Sequence, residues 1–158
     1  MTKRRAPSFR GLSAASPSAR SAAKSSSKKS NTKSEILLRR ELWARGLRYR
    51  INWARLPGCP DIVFTKQRLA VFCDGDFWHG RDLTRRMKQL AKGHNSAYWT
   101  EKIRTNVERD RLTTRQLVQA GWRVLRLWET DILRSPGGAA SQVVALLEKP
   151  RLHPPPPP

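Results

Sequence analysis

The sequence predicts an α/β fold, a single-domain mixed β-sheet flanked by helices. Three observations predict it. The 158 residues allow one domain of ordinary size. Helical and β-prone segments follow in the order α-β-β-β-α-β-α, a mixed pattern. Two of the apolar runs, residues 61–64 and 69–73, are separated only by Thr65-Lys66-Gln67-Arg68, which reads as a hairpin.

Each element has a local reason. Thr32-Lys33-Ser34-Glu35 fits a capping box with Thr32 as N-cap, opening a helix over residues 32–45. Gly46 suits the position just past its end. Residues 49–53 read as a short strand and Leu56-Pro57-Gly58-Cys59-Pro60 as a turn. Residues 80–97 are polar and basic with no clear period. Residues 99–120 are helical, with Ile103, Val107, Asp110, Thr114 and Leu117 on one stripe, and Gly121 ends them. Residues 122–128 form a mostly apolar strand, and Gly138 precedes a last helix over 139–148.

The ends differ in kind. The first 33 residues hold nine Lys/Arg and no acid, among Ser and Ala. They read as a basic arm, 1–31, that cannot bury a core. The folded domain spans 32–149, and a Pro-rich tail, 150–158, follows. Without those 33 residues 23 basic and 12 acidic side chains remain, so the domain itself carries +11 of the total +20. Such charge is the footprint of a phosphate-backbone binder. No apolar run approaches the ~20 residues of a membrane span, and no secretory h-region is present. Two cysteines are too few for a disulfide framework. A cytoplasmic, nucleoid-associated protein without a membrane partner is expected.

The chemistry concentrates in Asp61 and in Val71-Phe72-Cys73-Asp74-Gly75-Asp76-Phe77-Trp78-His79. With Gln67 and Arg68 as the hairpin turn, Asp61 faces Asp74, and a slip of one residue puts Cys73 there instead. Two opposed carboxylates repel unless a cation such as Mg²⁺ lies between them; read singly, each Asp is a turn residue. His79 is either a general base for a water molecule or a surface histidine. Phe77, Trp78 and Trp99 are either core or wedges that unstack a duplex. Glu35 and Asp110 lie on apolar stripes. Glu35 serves the capping box, Asp110 pairs with an arginine, or both orient His79 and a metal-side water. Arg123, Arg126, Arg81, Arg85, Arg86 and Lys88 are phosphate contacts or a solvated face.

In order, Leu56 to Phe64, Val71 to His79, Tyr98-Trp99, Glu101-Lys102-Ile103, Asn106 to Asp110, Gly121 to Leu125 and Trp128-Glu129 resemble the very-short-patch repair (Vsr) endonucleases. These are a branch of the PD-(D/E)XK-like, restriction-endonuclease-like nucleases. The resemblance covers residues 32–147. It implies a monomeric, Mg²⁺-dependent endonuclease, with Mn²⁺ as substitute, nicking one strand of double-stranded DNA at a T·G mismatch, alongside other mismatch-repair proteins. It implies Asp61 and the Cys73 carbonyl as metal ligands, with Asp74 joining them, His79 activating water, and Glu35 and Asp110 in support. It implies Phe77, Trp78 and Trp99 as wedges, with Arg81, Lys102 and Arg109 on the DNA. Members of the family carry a structural zinc; here Asp76, Arg81 and Thr130 stand at ligand positions, so none is expected. The alternatives are a restriction-associated or general nuclease indifferent to mismatches, and a non-catalytic DNA-binding protein.

Overall fold

The computed structural model describes residues 30–93 and 95–150. Most of the basic arm and of the Pro-rich tail lies outside the described residues.

Helix α1, Lys33–Ala44, begins at Thr32, whose hydroxyl accepts from the Glu35 N–H while the Glu35 carboxylate accepts from the Thr32 N–H. It closes with Gly46 at φ 76° and a Leu47 N–H to Leu42 carbonyl bond, a Schellman end. Strands β1, Arg50–Ile51, β2, Ile62–Phe64, and β3, Leu69–Asp74, are successively antiparallel. Helix α2, Leu83–Ala91, and the long α3, Ser96–Gln119, lead to β4, Arg123–Trp128, which pairs parallel to β3. Two short helices finish the domain, α4, Glu129–Arg134, and α5, Pro136–Glu148. The result is a four-stranded mixed sheet in the order β1-β2-β3-β4, helices on both faces.

Strand alternation sorts the core. Leu69 and Val71 of β3 point with Ile62, Phe64 and Leu127 towards α1, α4 and α5, meeting Leu38, Leu42, Ile132 and Val143. Ala70 and Phe72 point the other way, onto Leu117 of α3. Being covered on both faces makes β3 almost continuously apolar.

Five expectations change. The hairpin loop is Thr65 to Arg68 as a whole, with Phe64 opposite Leu69; Arg68 donates to the Thr65 carbonyl and takes φ 50°. The ladder therefore runs two residues from the expected register, and Asp61 lies level with Phe72, not Asp74. The strand at 49–53 is cut to two residues because Asn52 adopts φ 45°. Helix α2 occupies the supposedly unpatterned stretch, its signal a Leu83, Met87, Leu90 stripe diluted by basic residues. The last helix starts at Pro136, before the two glycines, because Ser135 caps it by accepting from Gly138 N–H and proline suits the first turn. Helix α4, anchored by buried Ile132, was also unforeseen.

Candidate active site

Because β2 ends before β3 does, β3 projects one bare edge. The N–H and C=O of a strand residue point to the same side, and sides alternate along the chain. The Arg68 carbonyl accepts from Arg123 of β4, so even-numbered β3 residues serve β4 and odd ones face β2. Val71 is level with Ile62, the first residue of β2. Beyond it Cys73 has no partner in β2, and the Asp61 carboxylate accepts its N–H at 2.7 Å. The Cys73 carbonyl projects towards that same side. Burial first, then the nearby Glu35 and Asp74 carboxylates, push the Asp61 carboxyl up to about 6, against the opposing effects of the Cys73 hydrogen bond and Arg39.

Glu35 is buried and heavily engaged. Its carboxylate accepts from Asn31 N–H at 2.9 Å, from the Thr32 hydroxyl at 2.9 Å and from Arg39 at 2.5 Å. The capping reading is thus realised in geometry, while its charge still bears on Asp61.

Asp74 is clamped by Arg126, whose Nε and a terminal nitrogen reach its two oxygens at 2.6 and 2.8 Å. The guanidinium also lies 3.3 Å from Asp110 and stacks over Phe72, 4.6 Å from the ring centre. A bidentate pair leaves Asp74 little capacity for an ion. The sequence offered one sign of this role. Arg126 interrupts an apolar strand, and a guanidinium there needs a counter-charge.

His79 Nδ1 sits 2.5 Å from Asp110 and 3.5 Å from Asp74. A carboxylate can only accept, so Nδ1 carries the proton and Nε2 is the basic nitrogen. Burial alone would raise the Asp110 carboxyl; the His79 hydrogen bond and charge, with Arg126 and Arg109, bring it below its ordinary value. The loop presenting His79 is tied to α3 by Asn106, whose amide donates to the Trp78 carbonyl at 3.1 Å. Gly80, at φ 72°, seats it. A Cβ there would meet Val107 Cγ2 at 2.7 Å.

The aromatics form one half-buried cluster. Phe77 packs edge-on against Trp78 and Trp99, at 5.0 and 5.9 Å, and Tyr98 lies beneath Trp99. Arg86 of α2 lies 5.2 Å from the Phe77 ring centre. Along α3, Trp99, Lys102, Asn106 and Arg109 recur at spacings of three and four, which places them on one face. Arg109 is largely exposed. Arg81 is engaged otherwise, bonded to Asp76 at 3.2 Å and Asp131 at 2.9 Å and lying over Trp128. The Thr130 hydroxyl also donates to Asp76. Residues 76, 81 and 130, noted above as zinc-position substitutes, are thus one polar knot between the loop and α4, in which Arg81 is paired with Asp76 and Asp131.

Among the described residues no three His, Cys, Asp or Glu side chains converge as a metal cage, and no helix is long and apolar enough to cross a membrane.

Residues 14–85 match the family model described as DNA mismatch endonuclease Vsr. The chain is 43% identical over 112 residues to the type II nicking enzyme V.NmeDIP of Neisseria meningitidis serogroup C, covering 71% of this chain and 74% of that one. The chain belongs to the Vsr family. The type II nicking enzyme V.HpaIIP of Haemophilus parainfluenzae is 41% identical over 105 residues, 66% of this chain and 73% of its own. DNA mismatch endonuclease Vsr of Escherichia coli K12 is 41% identical over 90 residues, 56% of this chain and 54% of its own. This Vsr-family chain is accordingly a DNA endonuclease, a hydrolase acting on DNA, and the non-catalytic alternative falls. Nucleases of this kind generally depend on a metal ion. The family match begins at residue 14, within the stretch read as the basic arm.

Proposed function

We propose that this chain is a Mg²⁺-dependent, monomeric endonuclease that nicks one strand of duplex DNA at or near a T·G mismatch, acting in the cytoplasm beside other mismatch-repair proteins. The observation that carries the metal reading is Asp61, a half-buried carboxylate beside the Cys73 backbone, held up to about 6 first by desolvation and then by the Glu35 and Asp74 carboxylates. A divalent cation relieves that excess of negative charge, and Mg²⁺ needs only one or two protein carboxylates besides water and phosphate oxygens. Asp61 and the Cys73 carbonyl would hold it, and Mn²⁺ would substitute. Bound there, the ion supplies Lewis-acid stabilisation of the phosphate charge.

The other groups have separable tasks. His79, with Nδ1 fixed by Asp110, offers Nε2 to the proton of the attacking water. Arg126 holds Asp74 and Asp110 as backing for that imidazole. Glu35 fixes the start of α1 and adds negative charge near Asp61. Phe77, Trp78 and Trp99 present a compact aromatic edge suited to pushing between base pairs. Lys102, Arg109 and Arg86 line its flanks for phosphates. The basic arm would add salt-sensitive grip.

A second reading follows from the relatives named type II nicking enzymes: a restriction-associated nuclease for which a mismatch is not required. One labelled duplex panel separates the two, comparing a T·G mismatch with the fully paired sequence, with Mg²⁺ and with chelator. A nick confined to the mismatched duplex and abolished by chelator is expected. Equal nicking of paired DNA selects the second reading, and nicking that survives chelation removes the metal.

A further inference from the structure

Beyond the catalytic end, α1 presents an outward stripe of unusual composition. Ile36, Arg40 and Trp43 recur at helical spacing, and Trp43 is 57% exposed. With Arg39, Ala44 and Tyr49 they line a shallow groove between α1 and the segment entering β1. Tyr49 forms its inner side, its hydroxyl donating to the Arg39 carbonyl at 2.8 Å. Arg48 stacks on Trp43, 3.7 Å from the ring centre, and Arg50 lies 4.8 Å from that of Trp53. The groove therefore has an apolar floor and guanidinium walls.

Its position selects the occupant. Arg39 at the near end holds Glu35 at 2.5 Å, and Glu35 acts electrostatically on Asp61. The groove thus starts where the candidate active site ends. DNA is a continuous polymer, so the duplex leaving the site must cross an adjoining surface. Its backbone alternates anionic phosphates with apolar sugar faces, and guanidinium forks beside an exposed indole answer both. From Ile36 to Trp43 is seven residues, about 10 Å of helix. That matches roughly three base-pair steps at ~3.4 Å each.

We infer that the outer groove of α1, walled by Arg40 and Arg48 and floored by Trp43, is a second DNA contact for about three base pairs of duplex on the Glu35 side of the nick. The inference rests on the nuclease reading above. It makes Arg40 and Trp43 binding residues outside the chemistry, acting on affinity and not on the chemical step.

The test uses the full chain and a duplex that the wild type nicks, with the flank on either side shortened one base pair at a time. Arg40→Ala and Trp43→Ala are expected to weaken binding about three- to tenfold by fluorescence anisotropy in chelator, with single-turnover nicking at saturating enzyme unchanged. Arg40→Ala should lower the slope of log affinity against log salt by about 1. Both effects should vanish once one particular flank is shorter than about three base pairs, and Arg40→Lys and Trp43→Phe should restore most of the affinity. Unchanged affinity on every duplex overturns the inference. So does an effect independent of flank length, or a change in sedimentation that makes the groove a self-association surface. A wild type that nicks nothing overturns instead the nuclease reading, a separate outcome.

Discussion

The ends of β2 and β3 each bring an aspartate to the same corner, and the two are treated in opposite ways. Asp74 lies in a field of positive charge, clamped bidentately by Arg126 and facing His79. Asp61 has only an amide from Cys73 and a distant arginine, against two carboxylates. Residue type and strand position are alike, so the difference is compensation. On the reading proposed above, the acid already paired within the protein is structural support, and the acid left with surplus negative charge is the one that would take an external cation.

The largest break in this comparison should come from exchanging the two. Asp61→Asn is expected to lower nicking on the order of 10³-fold through loss of the ion. It should leave DNA binding in chelator largely intact and raise stability without metal by about 1–3 kcal/mol at pH 7.5. Asp74→Asn should lower stability by about 1–3 kcal/mol, because Arg126 loses its partner. Thermal melts of the two variants read the opposite signs; stability changes of the same sign would end the distinction.

A middle-sized effect concerns pH. The folded Asp61 carboxyl sits at about 6, above its ordinary 3.8. Its contribution to stability is therefore complete below pH ~4 and is lost as pH rises through 6. Mg²⁺ competes with that proton, so apparent Mg²⁺ affinity should climb up to tenfold per pH unit below 6 and flatten above it. Asp61→Asn should abolish the climb. Titration calorimetry of the metal across pH 5–8 measures this, and a flat affinity would refute it.

The smallest effect sharpens how His79 is presented. Gly80→Ala forces a side chain into φ 72° and against Val107. It should cost about 1–3 kcal/mol locally and lower nicking more than binding, read as a kcat loss at constant KM.

The sequence made much of this legible, unevenly. The cap of α1 was readable because Thr32 and Glu35 interact within one turn. The long helix and β4 were readable because their apolar pattern is sustained. What escaped depended on backbone conformation, on thin local signals and on partners far along the chain. The hairpin register turned on the φ 50° of Arg68, which no propensity announces. Helix α2 has no fully buried residue, so its apolar signal is thin. Asp61 and His79 drew notice through their motifs. That Asp74 belongs to Arg126, 52 positions later, and Asp110 to His79, 31 positions earlier, needed coordinates.

The knot of Asp76, Arg81, Thr130 and Asp131 gives this corner a particular sensitivity to salt. The loop bearing Phe77 and Trp78, the proposed wedge, is fastened to α4 by charges near solvent, which dissolved ions weaken. Rising ionic strength therefore loosens the tool and its hold on the phosphate backbone together. Nicking should fade with salt more steeply than DNA association does.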